Sequence, residues 1–301
     1  MKGILALVAA VVACLGGCHA GAGTEADKAT PAPGPSLMTV AAADAGVRWA
    51  SRAKAQIAPG TQVYTGDGQC TANFVFIDKL RNVFVGQAAH CAARGSSEET
   101  NGCRADSLPL GTAVSFRRGG SPVSTGVLVG RGRLVYSSWI TMRQRNESDS
   151  AVCGHNDFAL VKVDARYLKL VNPSLPFWGG PTDLSTSGSA SGDEVFSYGN
   201  SSLRAGLAAL SPQQGVLESA DPAVRGWAHT TTSPRPGIPG DSGSAYLDAN
   251  GRALGTLSTL GLSIPITNTI GDLNHELTYA RAHSGLGNLR LVLGTEPFTG
   301  S

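Results

Sequence analysis

Pro239-Gly240-Asp241-Ser242-Gly243-Ser244 sets one hydroxyl between two glycines. Glycine carries no Cβ, so a serine placed this way can sit on a sharp turn where an acyl group comes close to the backbone. A serine hydroxyl is a weak nucleophile until a neighbouring base takes its proton, and that base works best when a third group orients it. Both partners stand upstream. Gln87-Ala88-Ala89-His90-Cys91 follows the apolar run Val83-Phe84-Val85 and supplies an imidazole. Asn156-Asp157-Phe158-Ala159-Leu160 opens a second such run and supplies a carboxylate.

The texture around these motifs is that of short strands. From about residue 61, runs rich in Val, Phe, Tyr and Thr alternate with Gly, Pro, Asn, Asp and Ser, which is how strands and turns read. Residues 71–77, 83–85, 113–116, 126–129, 134–136 and 158–163 form one set. Residues 194–198, 215–217, 227–231, 244–247, 254–257 and 263–264 form another. Between them, Val171 to Ser191 carries Pro173, Pro176 and Pro181 and reads as a linker. Asp272 is placed to cap a helix over Leu273 to His283, with Leu273, Leu277 and Ala280 on one side. Residues 37–54 read as a short helical lead-in. Two β sets about a Pro-rich joint predict two barrels, because closure removes exposed strand edges.

In the order His90, Asp157, Ser242, the three motifs resemble the chymotrypsin-like serine peptidases. α/β-Hydrolases and subtilisin-like enzymes carry the same groups in other orders. The resemblance spans about residues 60 to 295. It implies an all-β fold of two antiparallel Greek-key β-barrels with a C-terminal helix behind an unstructured N-terminal leader. The expected division is 1–17 signal peptide, 18–54 tether and lead-in, 55–180 the barrel of His90 and Asp157, and 181–301 the barrel of Ser242. It also implies roles. Ser242 attacks the substrate carbonyl, His90 shuttles the proton, and Asp157 fixes the imidazole. The backbone N–H groups of Gly240 and Ser242 form the oxyanion hole. Four cysteines of an exported chain allow three pairings; the resemblance implies Cys70–Cys91 and Cys103–Cys153. The implied activity is extracytoplasmic endopeptidase action on protein or peptide substrates through an acyl-enzyme, without cofactor or metal. The alternative is a weak or inactive peptidase-like surface protein that binds peptides or a partner protein.

Several positions depart from the family pattern. Trypsin-like members carry an acid six residues before the nucleophile; Pro236 stands there, which disfavours Arg or Lys in the substrate. Ser258 matches the substrate-binding strand, and Leu260 replaces a common glycine, narrowing the pocket. An Ile-Val-Gly-Gly-like start is not visible, so Asp241 needs another donor, such as an arginine. His155, His229, His275 and His283 lie in no motif and read as surface residues.

The first residues address the chain outward. Lys2 precedes an apolar run from Ile4 to Cys14, the length of a signal-peptide core and short of the roughly 20 residues that span a bilayer. Leu15-Gly16-Gly17-Cys18 resembles the lipobox of bacterial lipoproteins, which implies acylation of Cys18; the other reading is an ordinary signal cut after Cys18-His19-Ala20. Both place the chain outside the cytoplasm, secreted or held on the outer face of the membrane. Gly21 to Ser36 is small, polar and Pro-rich, as flexible tethers are. The hydrophobic fraction is 42% and the charged fraction 15%, with a formal net charge of +2. No basic stripe points to nucleic acid and no polybasic segment to a membrane. The expectation is a monomer that touches a membrane only through an N-terminal lipid.

Overall fold

Val83-Phe84-Val85 explains the architecture in miniature. Successive side chains of a strand point to opposite faces, and here both faces are covered: Val83 and Val85 join one apolar cluster, Phe84 another. Strands buried on both sides read as unbroken apolar runs rather than alternations. The computed structural model of the protein describes residues 46–95, 101–187, 189–261 and 265–300. The expected leader, the Cys18 motif and the strand at 263–264 lie outside these residues.

The first sheet contains β1 (Gln62–Thr65), β2 (Gly68–Thr71), β3 (Val75–Ile77), β4 (Val83–Ala88), β5 (Ala113–Arg118), β6 (Val127–Ser137) and β7 (Phe158–Val163). The second contains β8 (Glu194–Tyr198), β9 (Pro212–Leu217), β10 (Ala228–Thr232), β11 (Ala245–Asp248), β12 (Ala253–Gly261) and β13 (Thr267–Asp272). A short β14 (Arg290–Leu291) then returns to the first sheet. The spatial orders are β14-β3-β4-β7-β6-β5-β1-β2 and β10-β13-β12-β11-β8-β9. The second sheet closes through the β9–β10 pair, and β11 lies beside β8, a Greek-key arrangement.

The expectation of two barrels is thus corrected: one sheet closes and the other is an open eight-stranded sheet. The cause lies at its edges. The outer edge of β3 is taken by β14, with Ile77 opposite Arg290. At the far edge, Thr71 of β2 donates its backbone N–H to the carbonyl of Ser242 (2.8 Å), outside its own sheet. The expected lead-in helix is also absent from its described part, since residues 46–54 form turns and irregular chain.

Two short helices separate β6 from β7: α1 (Ser138–Gln144) and α2 (Ser150–His155). Asp149 caps α2, accepting from Ala151 N and Val152 N. The C-terminal helix falls where the sequence places it, as α3 (Leu273–His283), with Asp272 Oδ1 accepting from His275 N (2.9 Å). Both expected disulfides are formed, Cys70–Cys91 and Cys103–Cys153. Each closes a loop of tens of residues and contributes about 3–4 kcal/mol on the chain-entropy account.

The phenylalanine face of the first sheet (Phe76, Phe84, Phe158) packs with Phe196 and Leu247 of the barrel and with Leu273 and Leu277 of α3. Phe76 meets Phe158 edge-on at 5.4 Å. This aromatic layer bonds one sheet to the other. Phe76→Ala, which empties a fully buried site, is expected to cost about 3–5 kcal/mol of unfolding free energy, read from urea denaturation followed by tryptophan fluorescence.

Candidate active site

Strand register brings His90 and Asp157 together. β4 and β7 are antiparallel neighbours with Ala88 opposite Phe158, so the residues just past one strand meet those just before the other. His90 stands in the single 3-10 turn Ala89–Ala92 after β4, which the Cys70–Cys91 bridge ties to β2. Ala89 N donates to Asp157 O (3.1 Å), and His90 N donates to Asp157 Oδ1 (2.9 Å). The imidazole Nδ1 lies 2.6 Å from Asp157 Oδ2. A carboxylate only accepts, so Nδ1 carries the proton and Nε2 is left with a lone pair.

Asp157 is almost wholly buried and receives a third donor, Ser258 Oγ (2.6 Å). Its turn is set from behind by Ser138, whose hydroxyl donates to Asn156 O (2.7 Å) and accepts from Phe158 N (3.0 Å). Burial alone depresses the His90 pKa; the Asp157 charge and hydrogen bond together outweigh it and hold the imidazole above its ordinary value.

Ser242 follows Asp241 in the loop between β10 and β11. Asp241 is fully buried, and an unmet carboxylate there would be strongly destabilising. Arg204, itself buried, meets it through Nη2 and through Nε (3.3 Å to Oδ1). Gln213 Nε2 (3.1 Å), Ser201 N (2.8 Å) and Ile238 N (3.1 Å) complete the shell. An arginine thus supplies the donor that the sequence requires but cannot place.

The same loop is fastened to β2. Gly240 O accepts from Gln69 Nε2 (3.0 Å) and Thr71 Oγ1 (2.8 Å). Gly243 has φ +83°, and a Cβ there would stand 2.7 Å from Thr71 O and 2.8 Å from Ala88 N. Only glycine lets Ser242 come this close to the first sheet. Around the serine, Asp241 N and Gly243 N donate to Ile238 O and Leu257 O. Among the described residues, the N–H groups of Gly240 and Ser242 donate to no protein acceptor.

Ser242, His90, Asp157 and Gly240 line one cleft of about 620 Å³. Among the described residues no hydrogen bond joins Ser242 Oγ to His90; such contacts are often long before substrate binds. His90 also lies beside the Cys70 and Cys91 sulfurs, all three within 4.8 Å. Those sulfurs are bonded to each other, and metal ligation by cysteine takes free thiolates.

Glu276 is the site residue that sequence reasoning missed. It lies on the inward side of α3, fully buried, where Oε1 accepts from Asp157 N (3.2 Å) and Thr256 Oγ1 donates to Oε2 (3.1 Å). Burial first, and then the Asp157 charge, push its carboxyl well above the usual range. Its spacing from Leu273 and Leu277 marks it as inward-facing, a signal available in the sequence. Two histidines read as surface residues are also partnered: His229 Nε2 lies 2.9 Å from Asp272 Oδ2, and His275 Nδ1 lies 2.8 Å from Asp272 Oδ1. His155 is half-buried and outside the cleft.

No protein-family model matches the chain, and no curated protein matches its sequence. Among solved structures, Thermobifida fusca protease A is similar to it at 18% identity and a TM-score of 0.47, over 80% of this chain and 100% of the other. A Nocardiopsis protease shows 20% identity and a TM-score of 0.46 over 78% and 98%. Cellulomonas bogoriensis chymotrypsin shows 16% and 0.46, also over 78% and 98%. Likeness at this level carries no residue role to this chain.

Two outcomes follow from the buried charges. Arg204→Ala strands Asp241 and is expected to cost about 3–5 kcal/mol in urea unfolding. Glu276 has a raised folded-state pKa, so the folded protein holds that proton more tightly than the unfolded chain, and the residue's cost grows as pH rises through the ordinary glutamate value of about 4.3. Glu276→Gln is therefore expected to match the parent near pH 4 and to exceed it in stability increasingly toward pH 8; paired urea titrations across that range check it.

Proposed function

We propose that the protein is an extracytoplasmic serine endopeptidase that hydrolyses peptide bonds through an acyl-enzyme, with Ser242 as nucleophile, His90 as base and Asp157 as orienting carboxylate. The observation that carries this reading is an imidazole fixed by a buried carboxylate, in the same cleft as a serine flanked by two unspent backbone donors.

The chemistry runs on these groups alone. Ser242 Oγ attacks the carbonyl carbon while His90 Nε2 takes its proton, and Asp157 stabilises the resulting imidazolium. The carbonyl oxygen becomes an oxyanion, received by the N–H groups of Gly240 and Ser242; one such donor is worth about 3–4 kcal/mol in the transition state. His90 returns the proton to the departing amine. Water then attacks the acyl-enzyme while His90 takes its proton, and His90 passes that proton to Ser242 Oγ as the acid product leaves.

The cleft walls favour an uncharged substrate side chain. Gly237, Ile238, Leu257, Thr259, Leu260 and Asn268 line it without a charge. Asn268 is occupied with Gly237, accepting from its N (2.7 Å) and donating to its O (3.2 Å). Asp157, the one carboxylate lining the cleft among the described residues, is already committed to His90 and Ser258. The leader residues support action outside the cytoplasm, secreted or held at the membrane by acylated Cys18, and a monomer is the simplest working form.

A second reading, peptide binding without turnover, draws on the hydrogen bond not made between Ser242 and His90. A sulfonyl fluoride separates the two. Covalent labelling is expected at Ser242 alone and lost in Ser242→Ala and His90→Ala, with peptide turnover lower by several orders of magnitude in both. Because Asp157 raises the His90 pKa, kcat/KM is expected to climb with pH through a value above the ordinary histidine figure of about 6.5. Undiminished hydrolysis by His90→Ala defeats the assignment.

A further inference from the structure

The end of β4 and the start of β7 carry the cleft; their opposite ends carry a concentration of positive charge. Arg48, Arg81, Arg166 and Lys169 surround a groove that, among the described residues, no acidic side chain lines. A neighbouring hollow shares Arg166 and adds Arg133 and Lys162, which are cross-strand partners on β6 and β7. All six are exposed. Among the described residues, Asp164 is the acid that lines the second hollow, 3.8 Å from Arg166. Among the described residues, Arg48, Arg81, Lys162 and Lys169 have no carboxylate partner. Drawn from six separated positions, this cluster has no counterpart as a polybasic run in the sequence.

Two further features belong to the same face. Leu80, in the turn between β3 and β4 beside Arg81, leaves 73% of its surface in solvent. Gly46 forms part of the groove wall, and a Cβ on it would stand 2.2 Å from Arg81 Nη1.

We propose that this face docks on an anionic phospholipid bilayer, the basic side chains meeting headgroup phosphates with Leu80 at the interface, so that the cleft points away from the membrane. β4 and β7 set the separation: six residues at about 3.3 Å each give roughly 20 Å. Juxtamembrane basic residues act together on an anionic surface, weakened by salt. The lipid occupant rests on the extracytoplasmic reading; the docking does not rest on peptidase action.

The test uses the full chain carrying Cys18→Ala, so that no acyl group at that position contributes. It is sedimented with vesicles of phosphatidylcholine alone and of an equal mixture with phosphatidylglycerol. Binding is expected to the mixed vesicles, to fall steeply with salt, and to weaken about fivefold for each basic residue lost in Arg48→Gln, Arg166→Gln and Lys169→Gln. Equal binding to both vesicles, no binding, undiminished binding by the variants, or retention on heparin without vesicle binding each overturns it. Sulfonyl fluoride labelling of Ser242 in the same variants reports an intact fold, and its failure in the parent chain counts against the peptidase reading alone.

Discussion

A carboxylate shut away from water has to be answered by the protein, and Asp241 is answered from every direction. Arg204, Gln213 and two backbone amides converge on it, and its position one residue before Ser242 makes that enclosure a constraint on the nucleophile. Arg204 comes from the turn between β8 and β9, Gln213 from β9 itself. The barrel's own first hairpin thus fixes the loop that leaves β10. Replacing such a pair by matched apolar groups is often neutral for stability, whereas removing one member is not. Here the ion pair's contribution is geometric: it holds a glycine-rich segment in one shape.

The second buried carboxylate system works by contrast. Asp157 gathers three donors and stands ready as an acceptor for the imidazole. Glu276, directly behind it, receives its backbone N–H and sits deeper still. Burial, and then repulsion from so near a carboxylate, hold the Glu276 carboxyl well above the usual range. The same α3 residue also receives Thr256 of β12, two residues before Ser258, so one side chain spans the strand that opens with Phe158 and the strand that carries Ser258.

Much of this was legible in the sequence because glycine, cysteine and strand-bounding motifs act locally. Gly243 is needed by a backbone contact, His90 and Asp157 flank recognisable apolar runs, and α3 announces itself through Asp272 and its apolar spacing. The rest depends on partners distant along the chain. Whether a sheet closes is settled by what occupies its edges, and nothing near Val75–Ile77 states that Arg290–Leu291 will arrive there. α1 and α2 are six or seven residues long, too brief for a periodic signal. His229 and His275 lie in no motif and so read as surface residues; the fold brings both to Asp272, which also caps α3.

The short return of β14 has a consequence for how the chain assembles. Its two residues complete a sheet whose other members all precede residue 164, and synthesis delivers them only after the whole barrel sequence has emerged. Contacts so distant along the chain raise contact order and slow folding. The half that holds the imidazole therefore gains its outer strand last, and the segments of the cleft mature together, late, rather than one half waiting in finished form for the other.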